Sequence, residues 1–256
     1  MTRVALVTGG GRGIGRAVAA DLAAAGLAVA VAARTAAQVE AAAAELRTTG
    51  AAALGIRLDV TDATSVVDAV ARTVAGLGAV DVLVNNAGIA ESAPFARTDP
   101  ESWERHLRVN ATGPYLMTRA VLPGMLERGW GRVINIASLA GLDGAPYVVA
   151  YTASKHALVG LTRALAAEVA GRGVTVNAIC PGFAATDIVW SGARNVGART
   201  GRSFDAAVAA MARLNAGGRL IEPAEVAAEA LRLVRDDTIN GEAVVLDGTA
   251  SIRREP

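Results

Sequence analysis

The sequence predicts an α/β protein built on one doubly wound parallel sheet of about seven strands, with helices on both faces. Two features carry that expectation. Short apolar runs alternate with alanine-rich helical stretches along the whole chain, the pattern of successive βαβ units. The apolar runs are also nearly continuous instead of alternating with polar residues, as strands covered on both faces must be. No composition break, linker or repeat divides the chain, so residues 1–256 read as a single domain of a size that suits α/β architecture.

The elements follow in order. Val4–Val7 reads as the first strand, and Gly13–Ala25 as a helix ended by Gly26. Val29–Ala33 is a strand, Ala36–Thr48 a helix ended by Gly50, and Ala53–Leu58 the third strand. Thr61-Asp62 caps a helix running to about Leu77, and Val80–Val84 is the fourth strand. A helical zone from Pro100 to about Arg128 contains Pro114 and Pro123, where bends are expected. Gly131–Ala137 is a strand, Val148–Ala170 a helix, and Val174–Cys180 a strand. Residues 187–216 read as polar and irregular, with a helix at Phe204–Leu214. Such a stretch is too long for an ordinary connection and suggests a substrate loop or lid. Pro223–Arg235 is a helix with proline in its first turn, and Ala243–Leu246 is the last strand.

Composition narrows the function. Hydrophobic residues make up 52% of the chain and aromatics only 4%, so the core must be packed by Ala, Val and Leu through closely approached helices. Net charge is +1 with both signs interspersed, which leaves no basic run for nucleic acid and no acidic arm. Arg253-Arg254 is too short to count. The one cysteine, Cys180, excludes an intrachain disulfide and a multi-cysteine metal site. Two distant histidines, His106 and His156, add no metal site. The apolar start is too short for a signal peptide, and the apolar run Leu22–Ala33 is shorter than the roughly 18 residues of a membrane span. A soluble, cytoplasmic protein is expected.

The first strand runs into Thr8-Gly9-Gly10-Gly11-Arg12-Gly13-Ile14-Gly15, where a helix opens. Glycines let the backbone turn tightly and approach a ligand, and a helix N-terminus presents free N–H groups to a pyrophosphate. With the strand–helix alternation, this reads as a Rossmann-type dinucleotide site. The spacing is Gly9-x3-Gly13-x-Gly15 instead of the usual G-x-G-x-x-G. An acid roughly 20 residues further on would bind a free ribose 2′-hydroxyl, but the second strand ends Ala32-Ala33-Arg34. An acid would repel a 2′-phosphate, whereas arginine pairs with one. Arg34, with Arg12 as a second candidate, favours NADP(H) over NAD(H).

Lys155 is the only lysine in the chain; every other cationic side chain is an arginine. It stands four residues after Tyr151, and i, i+4 positions share a helix face at roughly 5–6 Å between Cβ atoms. A compact ammonium with a pKa open to adjustment is thus placed beside a phenol, a role arginine cannot fill.

These residues resemble the short-chain dehydrogenase/reductase family over residues 3–248. The resemblance rests on Thr8–Gly15, Asn85-Asn86-Ala87-Gly88, Ser138, Tyr151-x3-Lys155 and Pro181-Gly182, in that order. Within the family the chain is similar to β-ketoacyl (3-oxoacyl) reductases of the fatty-acid and aromatic-polyketide kinds, on Tyr151–Gly160, Val174–Thr186 and the long segment that follows. The resemblance implies that Gly9, Arg12, Gly13, Ile14 and Gly15 hold the pyrophosphate side and Arg34 the 2′-phosphate. It places Asp59 and Val60 at the adenine, with Asn86, Ala87 and Gly88 along the adenosine ribose. Pro181, Gly182 and Thr186 would bracket the nicotinamide. Ser138, Tyr151, Lys155 and Asn110 would be the catalytic group, with Tyr151 and Lys155 also meeting the cofactor and Lys155 reaching Asn110 through water. Two departures stand out. Asp247-Gly248-Thr249 replaces the Asp-Gly-Gly of many relatives. The 187–216 segment looks longer than in the fatty-acid reductases, which favours a different or bulkier substrate than an acyl carrier protein thioester.

In that reading a nicotinamide supplies hydride, Tyr151 the proton and Ser138 a hydrogen bond to the carbonyl oxygen. A tyrosine pKa near 10 would be lowered by the Lys155 cation. Substrate contacts are expected from Ser138, Leu139, Asp143, Tyr151, Phe183, Ile188 and Val189, with Phe95 and Trp190 nearby. Such an apolar pocket, without an Arg or Lys clamp for a free carboxylate, suits an acyl thioester or a hydrophobic ketone better than a sugar or an acid. His156 points about 100° from Lys155 around the helix, His106 reads as structural, Cys180 as core, and Tyr147 as a weaker rival acid. Two alternatives remain: an oxidative secondary-alcohol or hydroxysteroid-type dehydrogenase, and a non-catalytic dinucleotide-binding regulator. The resemblance also implies a homotetramer, or a homodimer, built on the helices around 100–128 and 150–170.

Overall fold

The computed structural model describes residues 2–249 and 253–255. One sheet runs through it in the order β3-β2-β1-β4-β5-β6-β7-β8. The strands are β1 (Val4–Thr8), β2 (Ala28–Ala33), β3 (Ala53–Arg57), β4 (Val80–Asn85), β5 (Gly131–Ile136), β6 (Val174–Pro181), β7 (Ala243–Leu246) and β8 (Arg253–Glu255). The first seven pair in parallel, as the apolar runs require. The eighth, not anticipated from the sequence, adds antiparallel to β7. Chain order reverses between β1 and β4, and ligands of open α/β sheets bind at such a switch point, beyond the carboxyl ends of the strands.

Helices α1 (Gly13–Ala24), α2 (Ala36–Thr48), α3 (Ala63–Leu77), α4 (Pro100–Leu107), α5 (Gly113–Glu127), α6 (Val149–Glu168), α7 (Asp187–Thr200), α8 (Phe204–Ala212) and α9 (Pro223–Arg235) complete the order. Alternate residues of one strand feed two cores. Ala5 and Val7 of β1 pack with Val18, Leu22, Val39, Leu46, Val226 and Leu233 from α1, α2 and α9. Leu6 packs with Val66, Met117, Val121, Met125 and Ala166 from α3, α5 and α6. The caps follow sequence rules. Asp62 accepts from Thr64 N at the start of α3, and Glu222 and Glu225 form a reciprocal capping box on α9 behind Pro223. Thr249 fits where many relatives have glycine because Asp247 Oδ1 accepts from its amide and hydroxyl at 3.0 and 2.6 Å.

Two regions depart from expectation. The 187–216 segment is mostly helical, because α7 starts with Asp187 after Thr186 and ends with Arg199 before Gly201 in the left-handed conformation. Charges of that sense at the two ends suit the helix dipole, and Gly201 supplies the C-terminal stop. Trp190 of α7 packs on Phe204 of α8 at 6.2 Å between ring centroids. The helical zone around residue 110 contains a π-turn, Arg108–Thr112, two residues ahead of Pro114.

A buried polar chain sets the position of α6. Asn85 Nδ2 donates to Thr118 Oγ1 at 3.2 Å and to Asn135 Oδ1 at 2.9 Å, and Asn135 Nδ2 donates to Thr162 Oγ1 at 2.8 Å. The chain joins β4 and β5 to α5 and α6, reaching α6 at Thr162, about two turns of helix beyond Lys155.

Candidate active site

A cleft of about 530 Å3 opens at the switch point. One side chain organises its floor. Thr8 Oγ1 accepts from the amides of Asn86 and Ala87, each at 3.0 Å, so the ends of β1 and β4 are tied together. Asn86 Nδ2 returns hydrogen bonds to the carbonyls of Thr8 and Gly9 at 3.0 and 3.2 Å. Gly9 and Gly13 adopt φ of 65° and 53°, the left-handed region that favours glycine. A Cβ on Gly9 would stand 2.7 Å from Asn86 Nδ2, and one on Gly15 would collide with the same atom. Asn86 therefore braces the glycine loop from beneath.

The sequence-expected cofactor residues Gly9, Arg12, Gly13, Ile14, Arg34, Asp59, Val60, Asn86, Ala87, Gly88 and Thr186 all line this cleft. Gly15 supports it from behind, while Pro181, the last residue of β6, and Gly182 after it lie outside the lining. Asp59 Oδ1 accepts from the amide and hydroxyl of Thr61 at 2.9 and 2.7 Å. Those bonds hold its pKa below the usual carboxylate value, with Arg34 contributing charge from nearby. Arg12 is an exposed partner of Asp187 at 2.9 Å, joining the glycine loop to the first turn of α7. Glu91, Arg105 and Arg108 also line the cleft. The two arginines are paired with carboxylates, Arg105 with Glu91 at 2.6 Å and Arg108 with Glu104 at 3.2 Å. Sequence reading missed this charged rim. These fixed backbone amides, small residues and the flanking arginines suit a dinucleotide.

The catalytic candidates gather beside the cleft. Ser138 follows β5 and caps the short turn Leu139–Gly141, its Oγ accepting from Ala140 N at 3.2 Å. Tyr151 and Lys155 lie on one face of α6, as their spacing implies, with Nζ 5.8 Å from the phenol ring centroid. Lys155 is only 4% exposed, and its Nζ donates to the carbonyl of Ile136 at 2.7 Å. Burial lowers its pKa to about 8. Asn110 sits buried in the π-turn. Its Oδ1 accepts from Ile89 N at 2.9 Å, and its Nδ2 donates to Ile89 O and to Ser154 Oγ, both at 2.9 Å. The carboxamide thus ties the cleft edge to α6 next to Lys155. A Cβ on Gly88 would lie 3.2 Å from Asn110 Oδ1 and 3.8 Å from Lys155 Nζ, so the cleft reaches this group at Gly88.

One expectation is reversed. The Tyr151 phenol is pushed above its ordinary pKa by burial, with the hydrogen bond to Ser138 acting in the opposite direction. The Lys155 ammonium donates to the Ile136 carbonyl.

The substrate candidates separate. Ile188 lines the cleft and Leu139 is half-buried, while Phe183 and Asp143 are exposed. Val189, by contrast, is buried at 4% exposure, because the α7 helix turns adjacent side chains to different faces. Phe95 is exposed. Tyr147 lies outside α6 with φ of 67° and is 67% exposed; Ala93 N donates to its carbonyl at 2.8 Å. His106 is structural: its Nδ1 meets Ser102 O at 2.7 Å and its Nε2 accepts from Glu91 N at 3.2 Å. His156 is exposed and Cys180 is buried. No described helix is long and apolar enough to cross a membrane.

A family model described as short chain dehydrogenase matches residues 3–196. The chain belongs to the short-chain dehydrogenase family. Members of that family bind a nicotinamide cofactor, and this chain is an oxidoreductase acting on CH–OH groups. It is 47% identical over 189 residues to an acetoacetyl-CoA reductase of Rhizobium meliloti, covering 74% of this chain and 77% of that protein. It is 38% identical over 247 residues to 2-(S)-hydroxypropyl-CoM dehydrogenase 3 of Xanthobacter autotrophicus, covering 96% and 95%. A crystal structure of an actinorhodin polyketide ketoreductase variant with NADPH superimposes with a TM-score of 0.93 at 37% identity, covering 96% of each chain.

Thr8→Val keeps side-chain volume but strands the amides of Asn86 and Ala87. Urea unfolding should show a loss of about 1–3 kcal/mol; a loss below about 0.5 kcal/mol would mean that Thr8 does not lock the loop.

Proposed function

We propose that this short-chain dehydrogenase is an NADP(H)-dependent ketone reductase, acting on a 3-oxoacyl thioester or polyketide-like ketone. The observation that carries the reading is the Tyr151 phenol, hydrogen-bonded to Ser138 and raised in pKa by burial, above a buried lysine at the edge of the cleft. At neutral pH the phenol is protonated, as an ordinary tyrosine is, and a protonated acid is what reduction of a carbonyl requires. The names of the acetoacetyl-CoA reductase and polyketide ketoreductase relatives support this direction. The hydroxypropyl-CoM dehydrogenase relative favours a second reading, alcohol oxidation at the same site.

When bound, the nicotinamide supplies a hydride from carbon 4. Gly9, Arg12, Gly13, Ile14 and Gly15 would hold its pyrophosphate, with Asp59 and Val60 at the adenine and Asn86, Ala87 and Gly88 along the ribose. Arg34 is the 2′-phosphate partner, and Pro181, Gly182 and Thr186 form the nicotinamide side. Ser138 Oγ donates to the substrate oxygen as negative charge develops there. Tyr151 Oη delivers the proton to that oxygen. Lys155, mostly protonated below its pKa of about 8, stabilises the phenolate that remains. Asn110 keeps Ile89 and α6 in register. Helices α7 and α8 form the substrate lid, with Leu139, Phe183 and Ile188 offering apolar contact.

Tyr151→Phe should lower kcat for ketone reduction by about 10²–10⁴-fold, the usual range for a lost general acid. Its NADPH dissociation constant, read by fluorescence titration, should stay within about twofold of the parent. Retained turnover would refute the proton-donor role. Arg34→Asp should shift the NADPH-to-NADH ratio of kcat/KM by more than about tenfold towards NADH, the value of one charge-assisted hydrogen bond. An unchanged ratio would place the 2′-phosphate elsewhere.

A further inference from the structure

The strand end that carries Pro181-Gly182-Phe183 is held by a residue from the far side of the lid. Asn215 lies in the turn after α8 and is 3% exposed. Its Oδ1 accepts from Phe183 N at 2.8 Å, and its Nδ2 donates to Phe183 O at 2.9 Å and to Arg219 O at 2.6 Å. The first two bonds form the same donor–acceptor pair that a neighbouring strand would offer one residue. One carboxamide thus continues the hydrogen bonding past the last residue of β6, next to the isolated parallel bridge between Ala184 and Ile221. The main chain joins on either side: Ile221 N donates to Phe183 O at 2.9 Å and Gly182 N to Leu246 O at 2.8 Å.

This contact accounts for Gly182. A Cβ there would collide with Asn215 Oδ1 and stand 3.0 Å from its Cγ and 3.3 Å from Leu139 Cδ1. Gly182 is small because the carboxamide fills the space beside it. Leu139 follows Ser138, so the same spot adjoins the oxygen-side hydrogen-bond donor.

We propose that Asn215 is a positioning residue: by pairing with Phe183 it fixes the Gly182–Phe183 backbone against Leu139 and couples the exit of the α7–α8 segment to the reacting end of the cleft. The proposal rests on reading that end as the nicotinamide and ketone side. The other end of the segment is joined to the glycine loop by Arg12 and Asp187. The lid is therefore attached to the site at its entry through an exposed ion pair and at its exit through a buried carboxamide. An exposed pair contributes little, whereas three hydrogen bonds from a buried carboxamide hold a fixed geometry, so the exit is the firm attachment.

The test uses the full chain as Asn215→Ala, with Asn215→Ser as a second variant should the first fold poorly. In cofactor-free protein, hydrogen–deuterium exchange at the Phe183 amide should accelerate by about tenfold or more, since its acceptor is lost. Exchange in β1 and β4 should not change. With NADPH and a ketone, kcat should fall about 10–100-fold, the cost of a misplacement near 1 Å, while the NADPH dissociation constant stays within about twofold. Gly182→Ala should be severely impaired alone and partly recover in the Gly182→Ala, Asn215→Ala double variant, because the colliding atoms are gone. Unchanged Phe183 exchange, kcat within about twofold of the parent, parallel loss of kcat and NADPH affinity, or strictly additive effects in the double variant would each overturn the proposal. A parent that reduces no ketone would instead refute the functional reading, and the exchange and stability of the four proteins would still decide whether Asn215 clamps Phe183.

Discussion

The Lys155 ammonium, donating to the Ile136 carbonyl at 2.7 Å from a position 4% exposed, constrains everything built around it. Removing a cation from water costs several kcal/mol unless polar groups compensate. Here the compensation comes from the carboxyl end of a parallel strand, where carbonyls point past the sheet. The Leu139–Gly141 turn packs on the same residue: a Cβ on Gly141 would stand 2.9 Å from the Lys155 backbone carbonyl oxygen. The same burial brings the lysine to a pKa of about 8 and pushes the neighbouring phenol up. Two groups ordinarily of similar pKa are driven apart, which separates a proton donor from a nearby charge.

Around that pair, the carboxyl edge of the sheet is held by side chains that make backbone-like hydrogen bonds. Thr8 and Asn86 join β1 to β4. Asn110 holds Ile89 through both its amide and its carbonyl, and Asn215 holds Phe183 in the same fashion. In each case a short polar side chain supplies hydrogen bonds where the chain leaves the sheet. A buried backbone group without a partner is costly, so these residues both satisfy the loop and fix its path. Each glycine beside them leaves space for that side chain: Gly9 and Gly15 for Asn86, Gly88 for Asn110, Gly182 for Asn215.

The parts written in local pattern were legible in the sequence. Pro223–Arg235 and Ala243–Leu246 match their observed bounds, and the glycine loop lines the cleft. What depends on partners distant in sequence was not. The 187–216 stretch reads as polar and irregular, whereas packing on α8 and the charges at its two ends make α7 a helix. Val189 looked like a pocket residue until the helix turned it inward. The direction of the Tyr151 shift needed the burial of the phenol, which spacing does not reveal. Asn215 carries no motif at all; its role exists only because the fold returns it to Phe183.

The lone lysine makes the central claim directly measurable. Protein labelled with 13C-lysine carries one labelled residue, so the 13Cε resonance of Lys155 can be followed through a pH titration without assignment. The account predicts a single folded-state transition with a midpoint near 8, well below that of an exposed lysine at about 10.4. A midpoint at the exposed value would contradict it, showing that the ammonium is solvated and that burial does not set the chemistry of this site.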